Sequence, residues 1–438
     1  MKGINEASSV NLPGGWEQSS IGALTTLVYR YPTYYGINYV ENGVPEIRGE
    51  LLLNNGEIET DAARLRFVSE DTAKKFPKVR LEPGDIVMSV RGTMGKIGLV
   101  RDNIRGAVIT ANLIRLAPRR DVICPNFFRW ALLAPRFAKA LNAASPQTTI
   151  KTITAPGLKE LSLLLPRNVN EQRKIAALLS LAQRAVEQQE RLLALTTELK
   201  KALLHQLFTH GLRHEPQKQT ELGLIPQSWD VSELGGVADL INGFAFKSED
   251  YVSNGVLNFR VVNIRDEGVI DVSNDTEFLP NEFMQSHKRY LLSEGDILVV
   301  MVGATRGKMG FIPKAILPAL MNQNMWRIVP KSSTEMHRRY LYHFLTTAVP
   351  TFVREFSESA RGFFKKSDFR SIKLPKPGFD EQREIAGAID NVEQKLGLHR
   401  RKHAALSALF RTLLHELMTA RIRVHNLDLT ELEAVTGS

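Results

Sequence analysis

The sequence predicts an α+β chain: two mixed α/β domains in a pseudo-two-fold tandem repeat, separated and joined by two long helices that form an antiparallel coiled coil. Three observations predict it. First, the 438 residues say nearly the same thing twice, about 212 residues apart. Leu81-Glu-Pro-Gly-Asp-Ile-Val ahead of Gly95-Lys-Ile-Gly98 returns as Leu292-Ser-Glu-Gly-Asp-Ile-Leu ahead of Gly307-Lys-Met-Gly310. Second, Glu171-Gln-Arg-Lys-Ile-Ala and Leu203-Leu-His-Gln-Leu return as Glu381-Gln-Arg-Glu-Ile-Ala and Leu413-Leu-His-Glu-Leu, with 32 positions between the two motifs in each copy. Equal length in an otherwise divergent duplication implies a length constraint. Third, pairs four apart recur every seven residues along both stretches, apolar towards the ends and polar at mid-helix, which is heptad spacing. The period is too long for a solenoid, whose repeats run about 20–50 residues. What is duplicated is a whole domain plus a helix.

In chain order, residues 1–165 form the first domain. It opens with Leu12-Pro-Gly-Gly-Trp16, matched by Ile225-Pro-Gln-Ser-Trp229 in the second. Asn-Gly between apolar stretches (Asn42-Gly43, Asn254-Gly255) is a tight-turn signal. Ile86–Val90 and Ile297–Val302 are short, apolar and β-rich, so they read as buried strands ending in glycine turns. Ile109–Leu116 and Trp326–Val329 read as further strands, Phe127–Leu141 and Tyr340–Val353 as short helices. Residues 166–213 are the central helical region, with Pro166 at the helix entrance, where proline is tolerated. Residues 214–224 are a polar linker, 225–375 the second domain, and 376–424 the distal helical region after Pro375. The polar tail 425–438 receives no role.

The helix seam is expected to include Ile175, Leu179, Leu203 and Leu207 in the first copy and Ile385, Ile389, Leu413 and Leu417 in the second. Both copies are polar at mid-helix, with Gln189 and His399. An antiparallel pair brings these two together, and a buried polar layer can fix register. A helix of about 36 residues is roughly 54 Å long. Domains at its opposite ends stand about one to one-and-a-half turns of B-DNA apart, at ~34 Å per turn.

Formal net charge is +10, which favours a polyanionic partner. The single cysteine, Cys124, excludes an intrachain disulfide and a cysteine zinc site. The start lacks the apolar core of a signal peptide, and no 18-residue apolar run occurs, so a cytoplasmic chain without a membrane span is expected. Catalytic motifs are missing. Gly92-Thr-Met-Gly-Lys96 and Gly303-Ala-Thr-Arg-Gly-Lys308 lack the four-residue spacing and the Ser or Thr that a phosphate-binding P-loop requires. There is no Pro-Pro, hence no Asn/Asp-Pro-Pro-aromatic motif of a DNA-amino methyltransferase, and no metalloprotease or hydrolase signature. His399 and His403 stand four apart, but no carboxylate or thiol completes a metal site beside them. Neither a catalytic residue nor a metal is expected.

The set of motifs resembles one family, the DNA-specificity subunit of Type I restriction–modification systems. Its carriers are Gly-Asp-Ile-(Val/Leu) before Gly-Lys-x-Gly, Glu-Gln-Arg-x-Ile-Ala, Leu-Leu-His-x-Leu, and Thr220-Glu-Leu-Gly-Leu-Ile-Pro-Gln-Ser-Trp229, in order, across essentially the whole chain. The resemblance implies a non-catalytic chain with two target-recognition domains, each reading half of a split double-stranded DNA site. It implies docking of two modification (methyltransferase) subunits on the helices, and ATP-dependent restriction subunits beyond them. S-adenosylmethionine, ATP and Mg²⁺ are then expected on the partners, with no cofactor in this chain. Asn242-Gly-Phe-Ala-Phe-Lys-Ser248 has Arg30-Tyr-Pro-Thr-Tyr-Tyr-Gly36 as its counterpart, so the halves should differ in sequence.

The expected DNA-binding residues are Arg48, Arg91, Lys96, Lys247, Arg260, Arg306 and Lys308, with the basic loop Arg361, Lys365 and Lys366. Sequence alone leaves phosphate and base contacts undivided. For the glycine-rich turns, a phosphate contact and a plain strand-to-strand turn with solvated cations are both open. Two rival readings are a structural coiled-coil protein with incidental charge and a DNA-modifying enzyme with an unrecognised site.

Overall fold

A computed structural model describes residues 13–30, 37–145, 152–357 and 364–424. The chain divides into two compact units, residues 1–191 with 400–438 and residues 192–399.

In the first unit a four-stranded antiparallel sheet runs in the order Thr25–Arg30, Leu113–Pro118, Ile86–Ser89, Ile97–Leu99. A second sheet orders Tyr39–Val40, Arg66–Val68, Val44–Ile47 and Val108–Ile109, the last pair parallel. The Ile86–Ser89 strand is buried on both faces. Ile86 and Met88 enter one hydrophobic cluster and Val87 the other. That explains a continuous apolar run where a half-exposed strand would alternate. The second unit repeats the plan. Ile297 and Val299 face one cluster, Leu298 and Val300 another. Its four-stranded sheet orders Ala238–Asn242, Met325–Pro330, Ile297–Val300 and Met309–Phe311.

Where one helix is expected near Phe127–Leu141, there are two, Pro125–Leu133 and Pro135–Ala143. Ala134 between them has ψ 141°, the extended value favoured before proline. The second unit has one continuous helix there, Arg338–Ser357.

The long helices are Val169–His210 and Phe379–Met418, of 42 and 40 residues, both longer than the heptad stretch alone indicates. In the first unit the beginning of the first helix (Ile175, Leu179) shares a core with the end of the second (Leu414, Leu417). In the second unit the end of the first helix (Leu204, Leu207) shares a core with the beginning of the second (Ile385, Ile389). Each unit therefore packs the two helices in the antiparallel sense. Leu203 and Leu413 lie at the margins of these cores. Gln189 is buried in the first unit, and His399 is half-buried in the second.

Two expectations about the connections change. Pro166 and Pro375 do not open the helices. They pair with Trp16 and Val231 in two-stranded ladders, where a residue without an N–H is admissible at an edge. The stretch expected as a linker is a hairpin, Gln217–Thr220 paired with Gly223–Pro226. Its turn is closed by Gly223 at φ 93° and by the Thr220 hydroxyl donating to the Gly223 carbonyl at 2.9 Å. Among the described residues no helix is long and apolar enough to cross a membrane.

Candidate nucleic-acid interface

The two repeated motifs that look most like chemistry are structural. In Gly-Asp-Ile the glycines turn the chain at φ 91° (Gly84) and 79° (Gly295). The aspartates that follow are buried. Asp85 accepts hydrogen bonds from the Glu82 amide at 2.8 Å and from Arg115 Nε at 2.7 Å. Asp296 repeats this with the Ser293 amide at 2.8 Å and Arg327 Nη1 at 3.2 Å. In Gly-Lys-x-Gly, Gly95 and Gly307 hold positive φ. Gly98 has no room for a side chain, since a Cβ would lie 2.5 Å from Ile58 Cγ1. The motif connects the antiparallel strands Ile86–Ser89 and Ile97–Leu99, so no helix N-terminus stands behind the lysine to receive a phosphate.

The Glu-Gln-Arg motif also has one job in both copies. Gln172, fully buried, accepts from the Cys124 amide at 2.8 Å and donates to the Val122 and Pro166 carbonyls at 3.0 and 2.8 Å. Gln382 accepts from the His337 amide and donates to the Glu335 and Pro377 carbonyls at 2.8–2.9 Å. Each glutamine pins the start of a long helix to its own domain. The buried Glu171 takes Arg423 Nε at 2.8 Å and Nη2 at 3.1 Å. Glu381 takes the Leu212 amide at 3.0 Å and Trp229 Nε1 at 3.1 Å.

The expected DNA contacts differ in how the fold holds them. Arg48 and Arg260 occupy equivalent places and are held by their own domains. Arg48 donates to the Arg64 carbonyl at 2.8 Å and pairs with Glu50 at 2.5 Å. Arg260 donates to the Asp275 carbonyl and pairs with Glu277 at 2.9 Å. Lys308 and Lys247 carry ion pairs, to Asp266 at 2.8 Å and Glu249 at 2.9 Å. A hydrogen bond from Lys308, together with its charge, holds the Asp266 carboxyl below the usual range. Arg306 lies over the Phe364 ring, 5.1 Å from its centroid. Lys365 stands at the N-cap of the short helix Lys366–Arg370. Arg361 lies outside the described residues.

Arg91 and Lys96 differ from these. They line a cleft of about 590 Å³ in the first unit, formed between its two sheets. Arg91 is exposed, Lys96 half-buried. Four further residues of the cleft were not singled out from sequence: Tyr39, Glu46, Arg66 and Asn112. Glu46 and Arg66 face each other across adjacent strands, with Arg66 Nη2 donating to Glu46 Oε2 at 2.7 Å. The Arg66 guanidinium lies 4.8 Å from the centre of the Tyr39 ring. Burial, followed by the charge of Glu46, pushes the Tyr39 hydroxyl above its ordinary pKa. No motif signals this trio, because a long irregular connection with two 3-10 helices, Gly49–Leu51 and Ala62–Arg64, separates Glu46 from Arg66.

Among the described residues one group has the composition of a metal site: His343, Asp390 and Glu393 in the second unit. Protein cations already serve its carboxylates. Arg339 donates to both, and Lys200 Nζ pairs with Glu393 at 2.8 Å. Burial pushes the Asp390 carboxyl up, but hydrogen bonds from His343 and Arg339 and the charge of Arg339 outweigh it and hold the carboxyl at about 2. The group fits a lock between a domain helix and a long helix better than a cation site.

Comparison with known proteins places this architecture. The family model described as the Type I restriction modification DNA specificity domain matches residues 13–197 and again 226–408. The Type I restriction enzyme MjaVIII specificity subunit of Methanocaldococcus jannaschii is 23% identical over 443 residues, covering 97% of each chain. The EcoBI specificity subunit of Escherichia coli is 25% identical over 351 residues, 74% of this chain and 72% of that one. The crystal structure of the S subunit of a Type I restriction–modification system from M. genitalium aligns with a TM-score of 0.61 at 19% identity, over 95% of this chain and 98% of that one, a likeness of fold.

Proposed function

Because the chain belongs to the Type I restriction–modification DNA specificity family and carries its domain twice, we propose that it reads an asymmetric bipartite DNA site, one half-site per unit. The chain is a specificity component and not an enzyme. The observation that supports two different half-sites is divergence inside shared wiring. Asp85 and Asp296, Gln172 and Gln382, and Arg48 and Arg260 do the same work in both units. Around them, Arg91 is replaced by Val302, Glu46 by Asn258 and Arg66 by Glu277. Conserved buried wiring keeps the fold, while the changed positions alter what each surface can hold.

Two modification subunits dock on the long helices in this reading. Leu199 and Leu409 occupy equivalent positions in the two copies and are 56% and 50% exposed, with Leu195 one turn before Leu199 also exposed. Exposed leucines at equivalent places on two polar helices support this reading. S-adenosylmethionine belongs to the modification subunits, and ATP and Mg²⁺ to restriction subunits. Adenine methylation mapped across the host genome, with the gene intact and deleted, tests this. Deletion is expected to abolish methylation of one split, asymmetric motif, and a methyltransferase subunit is expected to co-purify with the chain. An unchanged methylome together with no co-purifying methyltransferase would contradict the reading.

A further inference from the structure

We propose that Arg66 is a specificity-determining residue of the first unit, reading a guanine in the half-site bound there. The inference rests on the function proposed above and deepens it. Arg66 is half-exposed, its side chain 48% accessible at the wall of the 590 Å³ cleft. One terminal nitrogen is pinned by Glu46, which is only 2% exposed and sits directly opposite on the neighbouring strand. Its plane is backed by the Tyr39 ring at 4.8 Å. Tyr39 in turn donates to the other oxygen of Glu46 at 3.4 Å. The guanidinium is therefore biased towards one orientation before any ligand arrives, which lowers the rotamer entropy lost on binding. Among the described residues its other nitrogens make no hydrogen bond.

A planar fork of donors, fixed and facing solvent, complements the O6 and N7 acceptors of guanine in the major groove. Three other arginines of the first unit are less suited. Arg48 spends both terminal nitrogens on Arg64 and Glu50. Arg115 is committed to Asp85 and the Lys78 carbonyl, and Arg129 is buried against Glu57 and Ser180. In the second unit the same strand position carries Glu277, an acceptor engaged by Arg260. The sign of the charge at this position is thus inverted between the units, and a guanine reader is present in one only. Glu46 is a positioning residue for Arg66.

The test is selection from a duplex library randomised over both half-sites, using the full chain assembled with its modification subunits. Wild type is expected to select guanine at one position of one half-site. Arg66→Ala is expected to lose about 5- to 150-fold of that discrimination, the worth of one bidentate pair. Every other position, and the whole second half-site, should be unchanged. Arg66→Lys keeps the charge without the fork, so affinity should persist while the preference relaxes. Glu46→Gln should relax it partly. If Arg66→Ala weakens all sequences alike, Arg66 is a phosphate contact and the proposal is overturned. An unaltered preference with unaltered affinity overturns it as well. Should wild type select no split motif at all, the family-level reading fails instead, so the two failures are distinguishable.

Discussion

Glycines in one short motif meet different demands. Gly95 needs φ 91°, whereas Gly98 needs empty space against Ile58 and Leu52. Gly98→Ala is expected to cost about 1–3 kcal/mol by overpacking a core. Gly310→Ala should cost less, because its nearest neighbour is the terminal Cδ1 of Ile270 at 2.9 Å. Thermal melting of the two variants checks the order. Asp390 gives a pH signature. Its folded pKa, about 2, lies below the unfolded value of about 3.9. Its contribution is present above pH ~4 and is lost as pH falls through the folded value. For a half-exposed group solvent screening reduces this to about 1 kcal/mol. The stability gap between wild type and Asp390→Asn, read from urea midpoints, should shrink from pH 5 towards pH 2. The motifs were legible at this scale, but their roles were not. Sequence marks Arg48 as a cation without showing that Glu50 and the Arg64 carbonyl hold it. Arg66 carries no signal at all, since its meaning depends on Glu46 across a strand pair.

At the scale of elements, the long helices show what periodicity can and cannot deliver. Heptad spacing indicates two helices of equal length and the duplication an antiparallel pair; Ile175 and Leu179 are buried in the core of the first unit, Ile385 and Ile389 in that of the second. Helix ends were less legible, because they depend on tertiary partners. Pro166 and Pro375 are claimed by ladders with Trp16 and Val231, so the helices begin after them. The hairpin Gln217–Pro226 was hidden by its polar composition, its stability coming from main-chain pairing and a glycine turn. The glutamine of Glu-Gln-Arg ties the start of each helix to its domain. Gln172→Ala strips one buried amide of a partner and a buried and a half-buried carbonyl of a donor, so a loss of about 2 kcal/mol is expected. Chemical denaturation measures it. Near-wild-type stability would show that the glutamine is not the tie.

Across the whole molecule, duplication explains why the chain can keep one architecture and hold two surfaces. Shared buried links set the fold of each unit, and positions such as 66 and 277 are free to change sign. Arg423, near the end of the described chain, returns to the first unit, pairing with Glu171 and donating to the Gly14 carbonyl at 2.8 Å. Arg423→Ala should therefore lower the melting temperature of the first unit, leaving Glu171 buried without its cation. The family was legible in the order and duplication of its motifs. The target sequence was not, since it depends on which side chains remain uncommitted after folding. The most direct measurement exchanges residues 1–165 for the corresponding segment of another family member and maps adenine methylation in cells carrying the hybrid. One changed half-site beside one retained half-site is the expected result. A change in both halves would contradict independent reading by the two units.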